Sequence, residues 1–174
     1  MKTSAMISGM GGQGVVAISM ILARCAAKTG FVTCLPEHGP EQRGGYARCT
    51  IVLSDGEIIS PMPKKYTYMI AMDEPSYKKF ASQAEDLMIL NVGLVPASAD
   101  AKKLFVPAES IAVELGNPRA ANIVLLGALI GASGLLPEAL IAEEIRAAFA
   151  AKPEALEANL RAFEKGLEMG KKYL

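Results

Sequence analysis

The sequence lacks the thiolate set of an iron–sulfur cluster: its three cysteines, Cys25, Cys34 and Cys49, are far apart in the chain and lie in apolar stretches rather than at ligand spacing. They read as buried thiols of a reducing compartment, and any electrons the protein handles travel on carriers held by other chains. An excess of one charge is missing too. Eighteen basic residues balance eighteen acidic ones, which excludes a general field for nucleic acid or an anionic membrane surface. Long hydrophobic runs are also absent. The most apolar stretch, residues 120–136, is interrupted by Asn122 and Ser133 and falls short of the ~20 residues of a spanning helix, so it reads as a buried helix. Met1-Lys2 leads directly into a short apolar strand with no signal-type core or cleavage site, which makes cytoplasmic residence the expectation.

The chain has 174 residues, 51% of them hydrophobic, enough for one core and one domain over residues 1–174. Thr3 to Ser8 reads as a buried strand, and Val15, Ile18, Leu22 and Cys25 then recur at helical spacing. A second strand, Phe31 to Leu35, completes a βαβ unit, which implies parallel pairing of its strands. Thr50, Ile51 and Val52 mark a third strand, and Ser54-Asp55-Gly56 supplies a turn toward Glu57 to Ser60, an antiparallel hairpin. The rhythm resumes with strands at 68–72 and 87–92, separated by a helix that Asp73 can cap and Pro75 can open. A short strand at 103–106 and a short helix at 109–115 precede three closing helices. The first, 119–132, is apolar on nearly every side, with Gly127 and Gly131 permitting close approach of another backbone. The others open at Pro137 and Pro153. The fold class is therefore α/β: a three-layer α/β/α sandwich with a mostly parallel sheet, a Rossmann-like start and one antiparallel hairpin.

Two loops carry the chemistry. Gly9-Met10-Gly11-Gly12-Gln13-Gly14 has the G-x-G-x-x-G spacing after a strand and at the opening of a helix, where exposed N–H groups and the helix dipole suit a phosphate. The glycines equally permit a tight turn for helix packing, or a contact surface for another subunit. The segment from Pro36 to Gly45 follows the second strand and emerges at the same sheet edge, so both loops face one crevice. Candidate binding residues are Gly9, Gly11, Gly12, Gln13 and Gly14 from the first loop, and Pro40, Glu41, Arg43, Gly44 and Gly45 from the second. Arg43 has a planar fork for phosphate or carboxylate, and Gly44 and Gly45 admit a backbone at short range. Arg43 could instead hold its own loop or pair with Glu41 or Glu37.

Three segments together resemble the gamma subunit of 2-oxoacid:ferredoxin oxidoreductases: Gly-Met-Gly-Gly-Gln-Gly at 9–14, His-Gly-Pro-Glu-Gln-Arg-Gly-Gly at 38–45, and Ile-Val-Leu-Ser-Asp-Gly-Glu-Ile-Ile-Ser-Pro at 51–61. Gly116-Asn117-Pro118-Arg119-Ala120-Ala121-Asn122, Leu126-Gly127-Ala128, and Asn159 with Ala162-Phe163 and Gly166 extend the resemblance over the chain. It implies a complex that converts a 2-oxoacid and coenzyme A to acyl-CoA, carbon dioxide and reduced ferredoxin, using thiamine diphosphate. The glycine-aspartate-glycine and paired-asparagine pattern for that cofactor and magnesium is not found. Thiamine diphosphate, magnesium and [4Fe-4S] clusters are thus expected on alpha and beta partners, with delta as an optional fourth subunit. This chain holds none of them alone, contributes no catalytic residue, and offers its glycine loops to coenzyme A or to partner subunits. It is expected to be inactive alone and able to self-dimerise through a partner-binding face.

The pattern also has departures. Relatives often carry tyrosine in place of His38 and asparagine in place of Arg48, and a histidine before Gly-Pro is similar to the indolepyruvate branch. The Ile-Ile-Ser-Pro ending is closer to the branches for branched-chain 2-oxoacids, such as 2-ketoisovalerate, and for 2-oxoglutarate. His38, the sole histidine, has no evident catalytic partner and reads as a loop or interface group. Asn122 reads as a satisfied polar group of a buried helix. The competing function is a free-standing Rossmann-type nucleotide-binding oxidoreductase or sensor that uses Gly9, Gly11 and Gly14 for phosphate and Glu37 for a ribose.

Overall fold

The computed structural model describes residues 2–39, 45–91 and 102–173. Six strands form one sheet: β1 (Lys2–Met10), β2 (Phe31–His38), β3 (Tyr46–Ser54), β4 (Tyr66–Ala71), β5 (Ala84–Asn91) and β6 (Lys103–Val106). Six helices accompany them: α1 (Val15–Ala27), α2 (Glu74–Phe80), α3 (Ala108–Glu114), α4 (Ala121–Ser133), α5 (Glu138–Phe149) and α6 (Pro153–Lys171). The spatial order is β2-β3-β1-β4-β5-β6. β3 is antiparallel to both its neighbours, and the β1–β4, β4–β5 and β5–β6 pairs are parallel. The expected α/β sandwich with a mostly parallel sheet is present.

Three expectations need correction. β1 and β2 run in the same direction but do not pair, because β3 folds back from β2 and lies between them. The hairpin is therefore β2–β3, not residues 47–60. Ser54 does turn the chain, its hydroxyl accepting the Gly56 N–H at 3.1 Å. Residues 57–60 cannot add a strand beside β3, since both of its edges are taken, and Ile59 is left 91% exposed. β2 also runs three residues beyond its expected end at Leu35, through Pro36, Glu37 and His38. Its place at the sheet edge explains this, because an edge strand tolerates a proline that has no N–H to donate.

The faces of the sheet are covered unequally. On one, Ala5, Ile7, Cys49, Ile51, Ile70 and Ile89 pack against α1 and α4, with α5 and α6 completing the main core. On the other, Met6, Met69, Met88 and Leu90 lie under Phe80 of the short α2. Asp73 starts α2 as the sequence indicates, its buried carboxylate accepting the Ser76 N–H at 2.8 Å. Replacing Asp73 with alanine removes this cap and is expected to cost about 1 kcal/mol in urea unfolding.

α4 is buried on nearly all sides, lying between the sheet and α6. α6 approaches it through Gly166 and Gly170, and α4 answers with Gly127 and Gly131. The sequence stripe Leu156, Leu160, Phe163 and Leu167 is thus only part of the contact face. Asn159, Ala162, Gly166 and Gly170 are its most buried small and polar members.

Candidate functional site

The first glycine loop is held in place by its own side chain and by the second loop. The Gln13 Oε1 accepts the Met10 N–H at 2.7 Å, and the Gln13 N–H returns to the Met10 carbonyl at 3.1 Å. The Gly11 N–H donates to the Gly45 carbonyl at 2.9 Å, so the loops after β1 and β2 meet at the strand ends. Gly12 and Gly14 have φ of +94° and +80°, a region that favours glycine. Pro40, Glu41, Arg43 and Gly44 lie outside the described residues, and Gly45 is the one member of the second group that the structure places.

Beside this joint is a cavity of about 720 Å3. Gly12, Gln13 and Gly14 form one wall, and Asn117, Arg119 and Asn122 at the start of α4 form another. Lys152 and Asn159 close it from α6, while Met72 and Asn91 mark the carboxyl ends of β4 and β5. The amino-terminal ends of α1, α4 and α6 all border this space, and none is capped by the side chain of its N-cap residue, although Asn122 Oδ1 takes the Ile123 N–H in the first turn of α4. Uncapped helix starts present N–H groups and partial positive charge to one volume. Arg119 and Lys152 add two cations, neither engaged in an ion pair with another described residue. Among the described residues, Glu109 is the sole acidic one that lines the cavity. Phosphate groups suit such a site, and the apolar side chains of Leu125, Val113 and Phe149 provide a surface for a less polar moiety.

The asparagines shape the walls. Asn122 Nδ2 donates to the Gly14 carbonyl at 3.4 Å and its Oδ1 accepts the Ile123 N–H at 2.8 Å, joining the glycine loop to α4. Asn91 Oδ1 accepts the Ala108 N–H at 3.1 Å, and Asn159 Nδ2 donates to the Ala155 carbonyl at 2.8 Å. Asn122 is therefore a satisfied polar group, as its sequence context indicates, and also part of the cavity wall. Sequence reasoning did not single out Arg119, Lys152 or Asn91 as site residues. The available signal was Gly116-Asn117-Pro118-Arg119 ahead of an apolar helix, a helix start bearing a cation.

The dinucleotide alternative loses its acidic residue. The Arg48 guanidinium holds the Glu37 carboxylate through Nε at 2.9 Å and Nη2 at 2.6 Å, and β3 separates Glu37 from β1. Arg48 also lies 5.3 Å from the centre of the Phe80 ring, where its charge faces the π-system. His38 is exposed at the end of β2. Cys25 and Cys49 are buried as expected, whereas Cys34 is only partly so. Among the described residues no group of three or more His, Cys, Asp or Glu side chains is arranged to hold a metal, and no helix is long and apolar enough to cross a membrane.

Comparison with known proteins places this geometry in a family. The chain is 37% identical over 168 residues to ketoisovalerate oxidoreductase subunit VorA of Methanothermobacter thermautotrophicus, covering 93% of this chain but 35% of that protein. It thus spans about a third of that relative's length. It is 33% identical to 2-oxoglutarate synthase subunit KorC of Archaeoglobus fulgidus, covering 95% of this chain and 87% of KorC. The 2-oxoglutarate:ferredoxin oxidoreductase of Magnetococcus marinus, solved with 2-oxoglutarate, coenzyme A and succinyl-CoA bound, has a similar fold at a TM-score of 0.87 and 22% identity, over 98% of this chain and 31% of that one. Residues 4–169 match the pyruvate ferredoxin/flavodoxin oxidoreductase family, and the chain belongs to it.

Proposed function

We infer that this protein is a gamma-type component, a single domain over residues 1–174, of a cytoplasmic 2-oxoacid:ferredoxin oxidoreductase, and that its cleft receives the phosphate-bearing part of coenzyme A. The observation that carries this reading is the convergence of three uncapped helix starts with Arg119 and Lys152 beside the glycine loop. That arrangement suits a ligand with several phosphates and an extended, less polar arm. Gly45 meets Gly11 beside this cleft, and the preceding Pro40, Glu41, Arg43 and Gly44 are assigned on sequence alone to coenzyme A or to a partner subunit. The substrate is 2-ketoisovalerate or 2-oxoglutarate, in keeping with the names of the two relatives.

Under this reading the carbon chemistry takes place on partner chains. Thiamine diphosphate held by those partners would supply the chemistry for decarboxylating the 2-oxoacid, and their clusters would pass the electrons to ferredoxin. The present chain binds and orients the acyl acceptor. Helix starts and cations neutralise the phosphates, leaving the thiol end free to extend toward the neighbouring subunit.

The test is kinetic, in a complex reconstituted with alpha and beta subunits and assayed by oxoacid-dependent reduction of a viologen dye. Arg119→Ala and Lys152→Ala should each raise KM for coenzyme A about tenfold or more, as expected for losing a hydrogen bond to a charged group, with kcat little changed. Arg43→Ala should raise the same constant or weaken assembly. Unaltered KM in both cleft variants would move the coenzyme elsewhere, and turnover by the isolated chain would end the division of labour.

A further inference from the structure

Away from the cleft, three sulfur atoms gather on the sheet face turned toward α1. The Sγ atoms of Cys34 on β2 and Cys49 on β3 are 3.3 Å apart. In the strand register Cys34 stands opposite Ile51 and Cys49 opposite Pro36, so the two thiols are diagonal neighbours on one face. The Met20 Sδ on α1 is 3.9 Å from the Cys34 Sγ. Cys25 takes no part, its thiol donating to the Leu140 carbonyl at 3.2 Å.

The paired thiols have different surroundings. Cys49 is fully buried, whereas Cys34 lies on the edge strand and is partly exposed. The hydrogen bond shared by the two thiols, in which either sulfur can donate, lowers the Cys34 pKa to about 7 against the opposing effect of burial. The Cys49 thiol is pushed up, first by that hydrogen bond and then by burial. A partly ionised, reachable thiol beside a buried, protonated one matches the pairing of an attacking and a resolving cysteine.

From this geometry we propose that Cys34 and Cys49 form a redox-active dithiol that closes reversibly to an intrachain disulfide between β2 and β3, with a peroxide or a small-molecule disulfide as the oxidant. With hydrogen peroxide, the Cys34 thiolate attacks one oxygen and the O–O bond breaks. Cys34 becomes a sulfenic acid, and the departing hydroxide takes up a proton to become water. The Cys49 sulfur then bonds to the Cys34 sulfur as the S–O bond breaks, and the Cys49 proton leaves with the hydroxyl as a second water. Two thiols have lost two electrons and two protons, and one peroxide has become two waters. With a small disulfide, Cys34 displaces one small thiol and Cys49 displaces the mixed partner, releasing a second. Closure requires the sulfurs to move from 3.3 Å to the ~2.05 Å of a bond, and because diagonal partners on adjacent strands stand about 7–8 Å apart it also draws the edge strand β2 toward β3. The bond encloses residues 35–48, so oxidation fastens the base of the second candidate loop.

The experiment uses the full, reduced chain, treated with limiting hydrogen peroxide or with graded ratios of oxidised to reduced glutathione, then alkylated and mapped by mass spectrometry. A linked Cys34–Cys49 peptide is expected as the main product, with Cys25 left as a free thiol and the link reversed by dithiothreitol. The alkylation rate of Cys34 should reach half its maximum near pH 7. Cys34→Ser should abolish the link and leave Cys49 unreactive. Cys49→Ala should stop oxidation at a sulfenic acid or mixed disulfide and move the Cys34 midpoint up toward that of an ordinary thiol. If Cys49→Ala does not fold, the wild-type peptide map and pH profile decide the matter, and neither depends on a substitution in the core. Accumulation of a Cys34 mixed disulfide or sulfinic acid in the wild-type chain, without a link to Cys49, would overturn the proposal. So would a Cys34 midpoint at the usual thiol value of about 8.5.

Discussion

Replacing Gly166 with alanine will destabilise the chain by about 2–4 kcal/mol, although alanine is the better helix former by about 1 kcal/mol. A Cβ at Gly166 would overlap the Val124 carbonyl oxygen and sit 2.9 Å from the Ala128 nitrogen and 3.0 Å from the Gly127 Cα. The obstruction is backbone on every side, so no side-chain rotation relieves it. The same direction now carries a Cα–H toward a carbonyl oxygen, a weak attraction that the substitution also removes. α6 would have to move away from α4, opening gaps around Phe163, Leu167 and the buried face of α4. Urea unfolding monitored by circular dichroism measures the loss. Glu164→Ala, exposed on the same helix, is the control and should change stability by less than about 0.5 kcal/mol. Gly127→Ala meets the Phe163 carbonyl oxygen and the Gly166 Cα from the opposite side, so the double variant should cost less than the sum of the two. A Gly166→Ala chain as stable as the wild type would mean that the helices do not cross at this distance.

This crossing shows what a sequence can carry and what it cannot. Gly127 and Gly131 in an apolar helix announce a close approach, because glycine weakens a helix and is retained there for space. The element that approaches is not announced. Leu156, Leu160, Phe163 and Leu167 mark a face of α6 by size, whereas the contact is centred on the small residues beside it, which periodicity of large apolar side chains passes over. Strand order has the same limit. Phe31 to Leu35 and residues 47–53 are each legible as strands from their branched side chains, yet nothing within either segment states that β3 separates β2 from β1. That choice is made by pairing across the sheet, and it decides which acidic residue can reach the glycine loop.

The candidate site divides along the same line. A strand, a glycine loop and a helix are local features, and Gly9 to Gly14 could be read directly. The far wall of the cavity comes from positions distant in the chain, with Gly14 and Asn122 in contact across 108 positions. Arg119 and Lys152 each look like ordinary surface cations in their own segments. Only the packing of α4 between the sheet and α6 brings the two helix starts beside the first loop.

The joint between these walls is the most sensitive point of the site, and Gly14→Ala is expected to damage it with the fold retained. Gly14 has φ +80°, where an L side chain costs about 1–2 kcal/mol. A Cβ there would also overlap Asn122 Nδ2, the atom that donates to the Gly14 carbonyl. Asn122 must then swing aside, which breaks that bond and releases its Oδ1 from the Ile123 N–H at the start of α4. Both walls shift together, so in a reconstituted complex KM for coenzyme A should rise at least tenfold, and unfolding should show a loss of about 2–3 kcal/mol. The two causes can be separated. Adding Asn122→Ala to Gly14→Ala removes the steric overlap but leaves the positive φ, so stability should recover in part while the kinetic defect remains. Full recovery of both would reduce the joint to a steric contact without a role in binding. A Gly14→Ala complex with unaltered KM and lowered stability would place coenzyme A outside this cleft and leave the glycine loop a packing device for α1.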